Sequence, residues 1–226
     1  VTARTLFVTA SGTGVGKTYV AAALARALTA QGKPVAVLKP VISGFAWAGA
    51  AASDTALLLQ GAGVKPTHAA IEAASPWRFE APLAPDMAAA RENRALDFKA
   101  LVDFCRDAEK DAKGLLLIEG VGGVMAPLDD SHTVLDWMAE IETPVLVVVG
   151  SYLGAISHAL TAVEALRSRY IGIAAVVVDE SDGSTVPLDD TCSTMKRFLP
   201  GHRLAAVKRD ARPADVLAAM TGVVGI

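Results

Sequence analysis

A chain of 226 residues, 52% of them apolar, is long enough for one sizeable α/β domain, short for two, and too apolar for global disorder. Its 21 Lys and Arg against 24 Asp and Glu leave a formal net charge of -3, which argues against a broad nucleic-acid face while allowing a local basic pocket. The two cysteines, Cys105 and Cys192, lie far apart without metal-ligand spacing, and no apolar run approaches the roughly 20 residues that span a bilayer. The opening "VTART" is unlike a secretory signal, so a soluble, cytoplasmic protein with unpaired thiols is expected.

Short β-branched runs alternate with helical ones along the chain. A first strand is predicted at 6–10, followed by the helix "KTYVAAALARALTAQG" ending at Gly32 and a strand at Val35–Leu38. The segment 46–94, rich in Ala and Pro, reads as irregular, with one short helix at 54–60 and long loops. A helix at 96–113 leads to a strand at Leu115–Glu119, the helix "TVLDWMAEI" and a strand at 145–149. The helix "GAISHALTAVEALRSRY", a strand at 174–178, a helix at 187–199, a strand at Leu204–Val207 and a helix at Pro213–Met220 complete the set. Strands of about five nearly all-apolar residues between helices predict a mostly parallel sheet with helices on both faces, in one domain spanning 1–226.

The stretch "FVTASGTGVGKTYVAAALARAL" joins the first strand to the first helix. A phosphate-binding P-loop reads G-x-x-x-x-G-K-[ST]; Gly16, Lys17 and Thr18 satisfy its second half, but Ser11 stands at the first glycine. Gly12, Gly14 and Gly16 still supply positions that turn backbone N–H groups around phosphate oxygens at little strain. The Ser11 hydroxyl is expected to hold the turn by bonding nearby backbone. An apolar strand before and an Ala/Leu-rich helix after provide the required context, and the helix N-terminus adds partial positive charge. Lys17 is thus expected at the β/γ-phosphates and the Thr18 hydroxyl on Mg²⁺, in a nucleoside triphosphate site.

Glu119 ends five apolar residues at the carboxyl edge of a parallel sheet, where ligands bind, and reads as a magnesium ligand. Asp54 in "AASDTALLL" reads equally as a helix N-cap or a ligand. Lys39 follows the second strand, and Pro40 restricts it to extended conformations, so its ammonium leaves the sheet edge in a defined direction, either into water, the default for a lone lysine, or toward the same terminal phosphate. Two lysines there would stabilise a transferring phosphoryl group.

The stretches "GTGVGKT", "KPVISG", "SDTALL", "APLAP", "IEGVGGVMAPL" and "VLVVVGSYLGAISHALTAVEAL", in this order from Thr5 to about Asp179, resemble those of the dethiobiotin synthetases, a P-loop ligase family. The resemblance implies ATP-dependent carboxylation and ring closure of 7,8-diaminopelargonate in biotin biosynthesis, through a carbamate and a carbamic–phosphoric anhydride. It implies catalytic roles for Lys17, Lys39 and Thr13, and Mg²⁺ held by Thr18, Asp54 and Glu119. Nucleotide contacts would come from Gly14, Val15, Gly16, Lys17, Thr18, Tyr19, Asp54, Glu119, Gly120, Val121 and Gly122. Asp179 and Lys208 would lie near the base. Ser43 would meet the carbamate. In a homodimer sharing its active sites, Gly154 and Ser157 would receive the substrate carboxylate at a helix N-terminus. His158 reads as a packed, hydrogen-bonded histidine.

Three places depart from the family pattern: Ser11; "VVVDES", where Asp179 and Glu180 replace an Asn-Asp pair that reads adenine; and "VKRDARP", with Lys208 and Arg209. Base choice is therefore open. Two other readings share the architecture. An amide-forming synthetase of the cobyrinic acid diamide-synthase type usually carries a glutaminase domain, for which this chain is too short. A partition-type ATPase switch carries a further lysine where Gly12 stands here.

Overall fold

The structure, a computed structural model, describes residues 4–220. In chain order its strands are β1 (Arg4–Ala10), β2 (Val35–Leu38), β3 (Val41–Ser43), β4 (Trp77–Phe79), β5 (Leu115–Glu119), β6 (Val145–Gly150), β7 (Ile173–Asp179) and β8 (Leu204–Val207). The helices are α1 (Lys17–Ala30), α2 (Asp54–Gly61), α3 (His68–Ala74), α4 (Pro85–Arg91), α5 (Phe98–Asp111), α6 (Val134–Ile141), α7 (Ala155–Ser168), α8 (Leu188–Phe198) and α9 (Pro213–Met220). Six strands form one sheet in the order β2-β5-β1-β6-β7-β8, every neighbouring pair parallel. These are the six runs expected from sequence, within two residues at each end.

Their apolar composition has a simple cause. A parallel strand needs a crossover, crossover helices cover both faces, and a strand covered on both faces can carry few polar side chains. All of β6 is buried accordingly. Parallel crossovers are right-handed, so connections running in opposite directions across the sheet lie on opposite faces. Helix α1 packs with α2 and α9, whereas α5 packs with α6 and α7 with α8. The path out of β1 runs toward β2, while those out of β5 and β6, on either side of it, run toward β8. That reversal opens a crevice at the carboxyl end of β1, where open α/β sheets bind ligands.

Close packing underlies the crevice. The Phe7 ring of β1 meets Trp137 of α6 edge-on at 4.8 Å, both fully buried. Gly120 crosses directly over Phe7: a Cβ there would lie 2.7 Å from Cε1, so the turn leaving β5 needs glycine at this position.

The segment 46–94 is more ordered than its composition suggested. Besides α2 it holds a 3₁₀ turn (Trp47–Ala52), α3, α4 and the small parallel pair β3-β4, which stands apart from the main sheet. Both cysteines are unpaired, as expected, and burial pushes the Cys105 thiol up to about 12. Among the described residues no helix is long and apolar enough to cross a membrane.

Candidate active site

At the crevice the residues after β1, β2 and β5 enclose a cavity of about 610 Å³. The phosphate loop forms one wall. Its left-handed positions fall on Gly14 (φ 72°) and on Gly16 (φ 91°), the N-cap of α1, which has no capping side chain. The first-turn N–H groups of α1 are therefore left for an anion. Ser11 is not at positive φ, so the missing first glycine demands nothing of it. Its hydroxyl is buried without a partner, contrary to the expected backbone bond. The turn is held instead by the main chain, Ser11 N donating to Val148 O at 3.1 Å.

Lys17, buried in the first turn of α1, donates to Gly122 O at 2.7 Å and to Gly12 O at 3.2 Å. It thereby ties the loop to the "EGVGG" turn after β5. Gly123 lies flat on Gly12, where a Cβ would come within 3.1 Å of the Gly12 α-carbon. Burial, reinforced by the Lys39 charge, lowers the Lys17 pKa to about 8 against the opposing pull of Glu119 and Asp54.

Lys39 does not leave the sheet edge for solvent. Its N–H donates to Ala74 O and its carbonyl accepts from Ser75 Oγ, which pins the backbone from both sides. The side chain turns inward, donating to Glu119 Oε1 at 2.7 Å and Gly120 O at 2.6 Å, with Asp54 Oδ2 at 3.8 Å. Glu119 Oε1 also accepts from Thr18 Oγ1 at 2.8 Å. The structure separates the two readings of Asp54: Ser53 is the N-cap, accepting from Ala56 N, and Asp54 occupies the first turn of α2 with its carboxylate 45% exposed beside Lys39.

Among the described residues no group of three His, Cys, Asp or Glu side chains could hold a metal alone. The donor set here is different: two carboxylates and a hydroxyl beside a phosphate loop. Glu119 Oε2 is buried with no protein partner, a costly state for a carboxylate oxygen unless a cation completes it. An all-oxygen set with few protein ligands fits magnesium, which keeps waters and phosphate oxygens.

Thr13, Tyr19, Ser43, Val121 and Gly122 also line this cavity. The Ser43 hydroxyl is buried without a partner, which leaves it for a ligand. Ile42, Pro82, Leu83 and Pro85 form an apolar wall that residue-by-residue reasoning did not assign, although "APLAP" was a visible signal.

A second cavity of about 710 Å³ continues past the phosphate loop, lined by Val15, Tyr152, Asp179, Ser181 and Arg209 among others. Lys208 is not part of it. Lys208 lines a separate cavity of about 370 Å³ with Ala206 and Val216, and the neighbouring Arg209 lines the second cavity instead. Gly154, the N-cap of α7 at φ 100°, and Ser157 are exposed and line neither cavity of their own chain. His158 is hydrogen-bonded as expected, Nδ1 to the Tyr152 hydroxyl at 2.8 Å, but it stands on the surface rather than packed inside.

A parallel sheet whose reversal strand feeds a glycine loop, a Lys-Thr pair and an open helix N-terminus defines a P-loop nucleotide-dependent protein. A family model described as AAA domain matches residues 4–212, and ATP-dependent dethiobiotin synthetase BioD of Methylobacterium nodulans is 48% identical over 218 residues, covering 94% of this chain and 97% of that protein. The chain belongs to the dethiobiotin synthetase family. The synthetases of Acidiphilium cryptum (48% over 194 residues, 85% of this chain and 87% of the relative) and Caulobacter sp. strain K31 (45% over 205 residues, 90% and 87%) agree. Among solved structures, the MinC:MinD cell division protein complex of Aquifex aeolicus superposes with a TM-score of 0.58 at 14% identity, covering 99% of this chain and 96% of that one. Hydrogenase maturation factor HypB of Archaeoglobus fulgidus gives 0.56 at 12% identity, covering 99% and 91%. At such identity these likenesses speak for the fold alone.

Proposed function

We propose that this chain is the ligase that carboxylates 7,8-diaminopelargonate with CO₂ and closes the ureido ring of dethiobiotin, driven by ATP, in biotin biosynthesis. The observation that carries this reading is the convergence of Lys17, Lys39, Thr18, Asp54 and Glu119 on one cavity. One substrate amine captures CO₂ as a carbamate, losing a proton. The carbamate oxygen attacks the γ-phosphorus, breaks its bond to the bridging oxygen, and releases ADP. The second amine then attacks the carbonyl carbon of the mixed anhydride, loses a proton, closes the ring, and expels phosphate. Without phosphorylation the leaving group would be oxide, which is why the nucleotide is needed.

Lys17 holds the phosphate chain and, with Lys39, stabilises charge on the transferring phosphoryl group; Lys39 also faces the carbamate. Thr13 in the loop lies beside them, and Ser43, with its unpartnered hydroxyl, holds the carbamate end. The apolar wall of Ile42, Pro82 and Leu83 suits an aliphatic substrate chain. Thr18, Asp54 and Glu119 would hold magnesium, which when bound neutralises charge between the β- and γ-phosphates.

The enzyme works as a cytoplasmic homodimer in this reading. The exposed start of α7, with its uncapped N–H groups and the 87% exposed Leu153, supports a role for Gly154 and Ser157 at the carboxylate end of a substrate in a second copy. The amide-forming and switch-ATPase readings have less behind them: the relatives at 45–48% identity are dethiobiotin synthetases, and Gly12 stands where a switch ATPase carries lysine.

The test is an assay of purified protein with ATP, Mg²⁺, bicarbonate and 7,8-diaminopelargonate, measuring ureido product and phosphate together. Equal release of both is expected. Phosphate release indifferent to the diamine overturns the proposal.

A further inference from the structure

Two buried hydroxyls behind the cavity take no part in the chemistry above. Thr55 and Ser75 are both 0% exposed, and neither lines the cavity that holds Lys39 and Asp54. Thr55 Oγ1 lies 2.6 Å from Ser75 Oγ, which in turn lies 2.6 Å from the Lys39 carbonyl oxygen. The order of the protons follows. A carbonyl only accepts, so the single Ser75 proton goes to Lys39 O, and Thr55 must donate to Ser75.

This chain of hydroxyls joins two functional residues. One end is Thr55, next to Asp54 in the first turn of α2. The other end is the main chain of Lys39. Strand β2 stops at Leu38, so the buried Lys39 carbonyl lies beyond the end of that strand and takes its partner from a side chain. Residues 74–79 run beside 39–43: Lys39 N donates to Ala74 O, Trp77 N donates to Pro40 O, and β3 then pairs with β4. The hydroxyl pair ties α2 to this ribbon.

At its tip, Lys39 uses two of its three ammonium hydrogens on Glu119 Oε1 and Gly120 O, 2.7 and 2.6 Å away. The direction of the third then depends on where the main chain is held, and Asp54 Oδ2 stands 3.8 Å from the same nitrogen.

We propose that Thr55 and Ser75 are positioning residues for the synthetase reaction: through the Lys39 carbonyl they fix the Lys39 ammonium relative to the Asp54 carboxylate. The proposal rests on the synthetase reading above. Neither residue touches a reactant. Without Ser75 Oγ the peptide between Lys39 and Pro40 loses its lateral tie and can tilt, which moves the ammonium away from the transferring phosphoryl group. Without the Thr55 donor, the Ser75 hydroxyl is free to turn. The phosphate loop and Lys17 are untouched by either change, so the effect falls on turnover rather than on nucleotide affinity.

A purely packing role predicts the reverse order at Thr55. Valine keeps the shape of threonine without its hydroxyl; serine keeps the hydroxyl and leaves a methyl-sized gap.

The experiment compares Thr55→Val, Thr55→Ser and Ser75→Ala with wild type as purified full-length proteins. Three quantities are measured: the thermal midpoint, affinity for a ribose-labelled fluorescent ATP with Mg²⁺, and kcat for ureido product per nucleotide site. Ser75→Ala is expected to lower kcat by roughly tenfold to a hundredfold, and Thr55→Val by roughly three- to tenfold. Nucleotide affinity should stay within about threefold in all of them. Thr55→Ser should keep kcat within about twofold although its thermal midpoint falls. If Thr55→Val turns over like wild type, or kcat follows the thermal midpoint across the set, the proposal falls. A loss of nucleotide affinity as large as the loss of kcat overturns it too. Should Ser75→Ala not fold, the two Thr55 variants decide. A wild type that makes no ureido product overturns the synthetase reading and this proposal with it; an active wild type with variants out of this order overturns the proposal alone.

Discussion

Lys39 Nζ lies 2.7 Å from Glu119 Oε1, and the two side chains are 3% and 1% exposed. A buried pair of this kind is retained because each partner makes the other tolerable, and removing one strands the other's charge. Lys39 is thus both a proposed reacting-site cation and a structural counter-charge, and the two roles are separable. Lys39→Met should cost about 3–5 kcal/mol of stability by urea titration, because Glu119 is left unpaired. Lys39→Met with Glu119→Gln should recover most of that stability yet make no more ureido product than the single variant, at least about 100-fold below wild type. Recovery of turnover along with stability would show that Lys39 acts only by holding Glu119.

The lowered Lys17 pKa predicts how nucleotide binding responds to alkali. Free protein holds half of its Lys17 neutral near pH 8, because burial and Lys39 disfavour the charge. A bound triphosphate favours the charged form. Binding therefore takes up a proton wherever the free lysine has lost one, above about pH 8, and leaves proton number unchanged below about pH 7. Apparent ATP affinity should be level from pH 6 to 7 and then fall, approaching tenfold per unit above the lysine pKa. Calorimetry at pH 8.5 in buffers of different ionisation enthalpy should show net proton uptake. An affinity unchanged between pH 7 and 9.5 would mean that Lys17 stays charged in the free protein.

How far the sequence spoke for this site depends on the length of the element carrying each residue. The sheet strands were legible because each is a run of apolar residues bounded by turns, and the phosphate loop because its glycines, Lys17 and Thr18 are contiguous. The short elements were not. Helices α3 and α4 run seven residues each, under two turns, too few to display a hydrophobic period. In the structure Thr67 caps α3 and Pro85 stands in the first turn of α4. Asp54 was undecidable because Ser53 beside it can cap equally well, and only the fold shows that it does. Lys208 and Arg209 are adjacent cations leaving one strand, and composition cannot say which lines the cavity beside the phosphate loop. The inward turn of Lys39 depends on Glu119 arriving from a strand 80 residues away.

The contact of Gly16 with Asp179 gives a cycle that separates backbone strain from crowding. Gly16 stands at φ 91°, which an L-residue adopts at a cost of about 1–2 kcal/mol, and an alanine Cβ there would overlap the Asp179 carboxyl as well. The strain belongs to the main chain and persists whatever lies opposite; the overlap belongs to a side chain and vanishes when it is shortened. Gly16→Ala should therefore destabilise by more than the strain alone, whereas in an Asp179→Ala background the same substitution should cost only about 1–2 kcal/mol. Both alanine-16 proteins should bind nucleotide poorly, because the N-cap of α1 can no longer hold the left-handed conformation that turns the loop N–H groups toward phosphate. If Gly16→Ala costs the same in both backgrounds, Asp179 yields without penalty and the carboxyl is not held against the loop. A restored nucleotide affinity in the double variant would instead place the whole defect in crowding and none in the backbone.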